Sequence, residues 1–110
     1  MKNAGLSELE ELTLLIVVTL GPDAYGVPIQ AKLEKDARRP VALGAVYAAL
    51  DRLERNGVVA SSIGDPTPER GGRAKRYFRV TPRGVRAAQQ TQQALVALWR
   101  GLPQMKETPA

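Results

Sequence analysis

The sequence contains no cysteine and no histidine. Their absence excludes disulfides, thiol catalysis, histidine general-base chemistry and the usual zinc and haem ligand sets. We therefore expect no metal and no cofactor. Aromatic residues make up only 5% of the chain, so the core must be built from Leu, Val, Ile and Ala.

Long apolar runs are also missing. The longest largely apolar segment, Leu12–Leu20, spans nine residues, far fewer than a membrane helix needs. Glu8, Glu10 and Glu11 precede it, whereas a signal peptide has a basic segment there. The chain of 110 residues has room for one domain, and we expect it to be cytoplasmic.

The positive charge is concentrated in the middle of the chain. Residues 1–36 carry three lysines and six acids, whereas residues 37–86 carry eleven lysines or arginines and four acids, a local charge of +7. Such a basic segment suits a polyanion, although a solvated basic surface would have the same composition.

Hydrophobic periodicity predicts two helices in the first third. Ser7 and Glu10 form a capping-box pattern before a helix with apolar positions Leu9, Leu12, Ile16 and Leu20 and with Leu15 beside them; Gly21-Pro22 ends it. We expect this helix to be almost entirely buried. A second helix is predicted over Tyr25–Ala37, capped by Asp23.

A third helix, Leu43–Asn56, ends at Gly57 in a left-handed cap, and two short strands follow, Val58–Ile63 and Lys75–Val80. Thr81-Pro82 begins a last helix that runs to about Leu102. The predicted fold is mainly α with a small β-hairpin: a winged helix-turn-helix over residues 1–80, a C-terminal dimerisation helix over 81–103 and a flexible tail over 104–110.

The third helix is the candidate DNA reader. A helix that enters the major groove needs small residues at its leading end and hydrogen-bond donors further along. Here the small residues are Gly44, Ala45 and Ala48, and the donors are Tyr47, Arg52 and Arg55. An amphipathic surface helix would show the same pattern, and partial burial is an alternative for Tyr47. Asp51 either pairs with Arg55 or accepts a hydrogen bond from a cytosine amine.

The hairpin gives the more specific signal. Residues 69–76 place four cations around a Gly-Gly pair, and glycines allow a loop to approach a sugar-phosphate backbone closely. The residues predicted to contact DNA here are Arg70, Gly72, Arg73, Lys75 and Arg76. Phe78 and Val80 alternate with Tyr77 and Arg79, so the first two are expected to point inward.

The last helix carries more apolar surface than one small domain needs. Its seam, together with the first helix, predicts a homodimer interface formed by Leu12, Ile16, Leu95, Leu98, Trp99 and Leu102. Trp99 is also a candidate contact for a small, flat, apolar effector. Folding of this helix back onto its own domain is the alternative.

Three segments together resemble the PadR family of bacterial transcriptional regulators, in its short winged-helix form. They are Tyr25–Ile29, Leu43–Gly57 and Gly71–Thr81 with Gly84, and the resemblance extends from about Leu6 to Leu98. It implies a dimer held by the C-terminal helix, a helix at Gly44–Arg52 in the major groove, Tyr47 on the DNA backbone and a wing at Arg73–Arg76 on phosphate or in the minor groove. Many members carry Ser at the helix cap and Thr just before a Leu-Tyr pair. This chain has Ala42 or Leu43 at the first place and Ala45 at the second.

The sequence therefore predicts a homodimeric regulator, a repressor by the family pattern, that binds double-stranded DNA sequence-specifically. The alternative is a winged-helix module that docks an acidic protein partner. An enzyme is not expected, because no nucleophile–base pair and no phosphate-cradling glycine turn is visible.

Overall fold

The computed structural model describes residues 5–64 and 74–103. Within these ranges three helices are followed by two strands and one more helix. The bounds are α1 Glu8–Leu20, α2 Gly26–Lys35, α3 Leu43–Arg55, β1 Val59–Ile63, β2 Arg76–Val80 and α4 Pro82–Arg100, with a 3-10 turn at Gly21–Asp23 between α1 and α2.

Helix α1 begins at the predicted capping box. The Ser7 hydroxyl accepts a hydrogen bond from the Glu10 backbone N–H, and the Glu10 carboxylate accepts one from the Ser7 N–H, both at 3.1 Å. Two otherwise unpaired helix donors are satisfied in this way. The helix ends at Gly21, whose φ of 59° suits glycine, as the sequence predicts.

The start of α2 differs from the prediction. Asp23 does not cap this helix but closes the 3-10 turn, and the N-cap position is taken by Tyr25, whose side chain makes no capping bond. The physical reason lies in tertiary structure: Ala24 is extended, and its carbonyl accepts a hydrogen bond of 2.9 Å from the Phe78 N–H of β2. The chain therefore runs alongside the hairpin before it turns into α2.

Helix α3 and the strands follow the prediction to within one residue. Gln30 Nε2 donates to the Val41 carbonyl at 2.9 Å and so ties α2 to the segment before α3. Gly57 adopts a left-handed φ of 76° just after α3, which is the predicted ending. Strands β1 and β2 pair antiparallel, with Val59 opposite Val80 and Ile63 opposite Arg76.

The core lies between α1, α2, α3 and the hairpin, in the winged-helix arrangement that the sequence predicts. Phe78 points inward as expected, whereas Val80 is half-buried. The side chains that are completely or almost completely buried come from all of these elements: Leu14, Ile16, Val17, Ala24, Ile29, Leu33, Val46, Ala49, Leu50, Leu53, Val58, Val59 and Phe78.

Helix α1 is less buried than predicted. Ile16, expected at a dimer interface, is instead a core residue at 8% exposure, because the buried face of α1 runs through Thr13, Leu14 and Val17. Leu15 and Val18 consequently point outward. Leu12, the other α1 residue predicted at the interface, is half-buried and packs at the edge of the core.

Helix α4 begins where predicted and ends two residues early. Thr81 caps it by accepting a hydrogen bond of 3.0 Å from the Gly84 N–H. Its first half docks on the domain, where Thr91 donates to Glu11 of α1 at 3.1 Å, whereas the residues after Thr91 are exposed. Within the described part of the chain, no helix is both long and apolar enough to cross a membrane.

Candidate nucleic-acid interface

One face of α3 is sealed into the core and the opposite face is open. Successive residues of a helix are 100° apart around its axis, so the centre of the exposed face lies directly opposite the four buried side chains. We call the residues along this line the α3 ridge. The ridge consists of Gly44, Ala48, Asp51 and Arg55, all of which are exposed. No atom lies within 4 Å of the position that a Cβ on Gly44 would take. The leading end of the ridge is thus open to a close approach by another molecule.

Tyr47 and Ala45 flank the ridge and are half-buried. The hydroxyl end of Tyr47 packs on Gly26 at the start of α2, so closely that a Cβ at position 26 would overlap the ring. Partial burial, the alternative considered for Tyr47, is therefore its observed state. The same contact fixes the angle between α2 and α3.

Arg52 lies on the flank of α3 that faces α1. Its Nε donates to Glu10 Oε2 at 2.5 Å, and its side chain remains 47% exposed. Burial opposes ionisation of Glu10, but the hydrogen bonds from Arg52 and Ser7 outweigh it and hold the pKa of that carboxyl below its ordinary value. Arg52 thus joins α3 to the start of α1.

Arg76, the first residue of β2, reaches back to α3. Its Nη1 donates to Asp51 Oδ1 at 3.1 Å and its Nη2 to Glu54 Oε1 at 2.5 Å. Asp51 therefore pairs with Arg76 and not with Arg55, which was one of the two partners considered from the sequence. The hairpin and α3 are joined by a guanidinium between two carboxylates.

Aromatic contacts hold the two strands near their loop end, at Gly64, Lys75 and Tyr77, a group that we call the hairpin base. The rings of Tyr25 and Tyr77 meet edge-on with 5.4 Å between centroids, and Lys75 Nζ lies 4.8 Å from the Tyr25 centroid. Gly64 packs against Tyr77 so tightly that a Cβ there would overlap the ring. These contacts orient the two strands near Gly64 and Lys75. The predicted contacts Arg70, Gly72 and Arg73 lie outside the described residues.

The structure brings most of the described candidates to one region and adds residues that sequence reasoning missed. Ridge, flanks and hairpin base all belong to α3 or to the elements packed against it. Glu10 and Glu54 were not singled out as partners for Arg52 and Arg76. The capping box locates Glu10 but not its second partner, because that contact joins residues 42 positions apart.

The predicted dimer surface on α4 is exposed in the single chain. Leu98 and Trp99 are 68% and 60% exposed, and Leu95 and Leu102 are also exposed. The alternative, that this part of α4 folds back over its own domain, is thereby excluded. The apolar seam, which we define as Leu95, Leu98, Trp99 and Leu102, is left without cover in one chain.

Comparisons with known proteins agree with this architecture. The model of the transcriptional regulator PadR-like family matches residues 14–90. A PadR-like transcription factor from Bacteroides fragilis is 26% identical, with a TM-score of 0.71 and 84% of each chain covered. A PadR family transcriptional regulator from Eggerthella lenta is 28% identical, with a TM-score of 0.66 over 86% of this chain and 81% of that one.

A PadR-like transcriptional regulator from Bacillus cereus shares the fold at 21% identity, with a TM-score of 0.68 and 84% of each chain covered. Among curated protein sequences no match is found. Because the family model spans well over half of the sequence, including α2, α3, the hairpin and the docked half of α4, the chain belongs to the PadR-like family of DNA-binding transcriptional regulators.

Proposed function

We propose that two copies of this chain associate through α4 and bind duplex DNA sequence-specifically, with α3 in the major groove and the hairpin on the sugar-phosphate backbone. The observation that carries the proposal is the α3 ridge, exposed along its length and almost without side-chain bulk at its leading end. Small residues there allow the helix backbone to approach base edges closely.

The proposed DNA contacts fall into two groups. On α3 the small residues Gly44, Ala45 and Ala48 meet the groove, Tyr47 meets the backbone from its flank, and Arg52 stands beside the ridge. On the hairpin Arg70, Gly72, Arg73 and Lys75 meet phosphates, and Arg76 lies where the two groups join. Cations on phosphates supply affinity, whereas contacts to base edges supply specificity.

The exposure of α4 supports a two-fold dimer. The apolar seam and the outward side chains of α1, Leu15 and Val18, form apolar surface that a second copy would cover. A symmetric pair of α3 ridges fits a palindromic operator, which two-fold dimers read one half-site each.

Repression follows if the bound dimer occupies promoter DNA in competition with the transcription machinery. We place this activity in the cytoplasm. The exposed Trp99 ring offers a flat apolar surface at the proposed dimer interface, where a small apolar effector would change the spacing of the two ridges.

A matched pair of variants tests the DNA-binding surface. Ala48 and Ala31 are both exposed alanines on helices, one on the α3 ridge and one on α2. We expect Ala48→Glu to weaken binding to a random-sequence duplex by about a hundredfold, because the new carboxylate meets phosphates and base edges at close range. Ala31→Glu changes the net charge equally and should retain nearly all affinity.

Fluorescence anisotropy titrations at about 50 mM and about 200 mM salt measure both the affinity and its salt dependence. Equal losses in the two variants would contradict the proposed placement of α3. No binding by the unaltered protein at either salt concentration would instead favour an acidic protein partner.

A further inference from the structure

Both terminal nitrogens of the Arg76 guanidinium donate hydrogen bonds to α3 of the same domain. The two carboxylates that it contacts, Asp51 and Glu54, lie one helical turn apart on α3. A planar guanidinium offers parallel N–H donors and so bridges two acceptors in a fixed direction. The start of β2 is thereby held at one place along α3.

The contact extends to the other strand. Glu54 Oε2 accepts a hydrogen bond of 2.8 Å from the Ser61 hydroxyl of β1, so Glu54 binds both strands at once. The Arg76 guanidinium also lies 4.8 Å from the centroid of the buried Phe78 ring, which anchors β2 in the core. The Ser61 hydroxyl, together with Arg76 and against the effect of burial, holds the pKa of Glu54 below its ordinary value.

These contacts bear on what Arg76 can do for DNA. Asp51 and Glu54 occupy one N–H on each Nη of Arg76 and neutralise its charge. A phosphate would therefore meet a guanidinium that is already paired with two carboxylates, and would gain little attraction from the N–H donors that remain. Asp51, in contrast, stands on the α3 ridge, where an unneutralised carboxylate would repel DNA. The observed pairing both fixes the hairpin and cancels a charge of the wrong sign at the binding surface.

We propose that Arg76 is a positioning residue: held by Asp51 and Glu54, it sets the angle between the hairpin and α3 and neutralises the ridge, and it makes no phosphate contact of its own. This inference rests on the proposed function. It leaves the proposed phosphate contacts of the hairpin cations to Arg70, Arg73 and Lys75.

A double-mutant cycle tests this role. The four proteins are the unaltered chain, Arg76→Ala, Asp51→Asn/Glu54→Gln, and the combined variant. If Arg76 acts through the two acids, Arg76→Ala weakens binding to a selected duplex by about tenfold in the unaltered chain and by less than about twofold when the acids are neutral. If Arg76 instead contacts phosphate, its removal weakens duplex binding by the same factor in both backgrounds.

The salt dependence of binding gives an independent readout. Each phosphate contact adds about 0.9 to the magnitude of the negative slope of log K against log salt concentration. We expect the slope to be the same for Arg76→Ala and the unaltered chain, whereas loss of a phosphate contact would lower its magnitude by that amount. Arg79→Ala removes a cation from an exposed position on the same strand and is the matched control for net charge.

Arg76→Lys separates charge from geometry and serves as a second variant should Arg76→Ala fold poorly. A single ammonium serves a phosphate well but does not reproduce the fork between two carboxylates. Lysine keeps the charge that neutralises Asp51 but not the fork that sets the hairpin angle, so we expect the Arg76→Lys variant to bind more weakly than the unaltered chain and more tightly than Arg76→Ala. The inference would be overturned by full affinity in this variant, by additive effects in the cycle or by a slope of lowered magnitude. Absence of DNA binding by the unaltered chain would instead overturn the proposed function itself.

Discussion

At the scale of single residues, the arginines near the α3 ridge are not equivalent. Arg52 and Arg76 each hold a carboxylate of their own domain. Arg55, on the ridge itself, pairs with no acid among the described residues. The excess of basic residues in the middle of the sequence therefore overstates the charge that this part of the domain presents to a polyanion.

The ion pair between Glu10 and Arg52 should make the stability of the fold depend on pH. The Glu10 carboxylate joins Ser7 of α1 to Arg52 of α3, and its pKa in the folded protein is below the ordinary value of 4.5. A lowered pKa means that the contribution to stability is complete above the unfolded-state pKa and is lost as the pH falls through the folded-state pKa. We expect Glu10→Gln to unfold more easily at pH 7 by about 1 kcal/mol, and this difference to shrink below pH 4.5.

Urea denaturation at a series of pH values measures the free energy of unfolding in both proteins. Glu34→Gln, at an exposed position on α2, controls for the general effect of removing a carboxylate. A difference between Glu10→Gln and the unaltered chain that stays constant from neutral to acidic pH would contradict the assigned role of the charged pair.

At the scale of elements, the docking of α4 depends on Gly84. A Cβ at this position would overlap the backbone carbonyl of Val58 and the side chain of Val80. Alanine ordinarily stabilises a helix relative to glycine by about 0.5–1 kcal/mol. We expect the opposite sign for Gly84→Ala, a loss of about 2 kcal/mol or more, because a backbone atom cannot move aside as a flexible side chain can.

Gly44→Ala is the matched substitution on α3, since a Cβ there meets no atom within 4 Å. It should leave stability unchanged or raise it by up to about 0.5 kcal/mol. Thermal denaturation of the two variants measures the contrast. Stabilisation by Gly84→Ala would mean that α4 does not pack against Val58, just before β1, and Val80 as described.

The elements whose limits are set by neighbouring residues were predictable. The Ser7–Glu10 capping box, the Gly57 ending and the Thr81-Pro82 start each depend on contacts within a few residues, and all three are confirmed. The start of α2 was predicted wrongly. Asp23 matches a local cap pattern, but the carbonyl of the extended Ala24 accepts a hydrogen bond from β2, and this distant contact sets the path of the chain.

The same distinction applies to the candidate site. The open face of α3 follows from its 3.6-residue period and was predictable from the sequence. The pairing of Arg76 with Asp51 and Glu54 spans 25 and 22 positions, and only the folded chain defines it. Ile16 illustrates the limit for burial: within the largely apolar segment Leu12–Leu20 of α1, periodicity alone does not fix which face turns inward.

At the scale of the whole molecule, α4 makes the chain elongated. Its radius of gyration is 16.3 Å, whereas a compact chain of about 100 residues has about 13 Å. The exposed half of α4 presents the apolar seam away from the domain's own core. A second copy is the partner that we propose for this surface.

Leu98→Asp tests that proposal. We expect the unaltered chain to sediment as a dimer and Leu98→Asp as a monomer, because a carboxylate would be buried without a partner in the interface. Since Leu98 is 68% exposed in one chain, the helical content of the monomer should be unchanged. Gln93→Asp, on the opposite face of α4, should sediment as the unaltered chain does; a dimer in both variants would place the interface elsewhere.

Selection of bound duplexes from a random-sequence pool tests the central claim most directly, because it reads the number, symmetry and spacing of the α3 ridges that engage DNA together. The account predicts enrichment of an inverted repeat whose half-site centres lie about 10 base pairs, one helical turn, or a multiple of that distance apart. Enrichment of a single asymmetric site, or of no sequence at all, would contradict it.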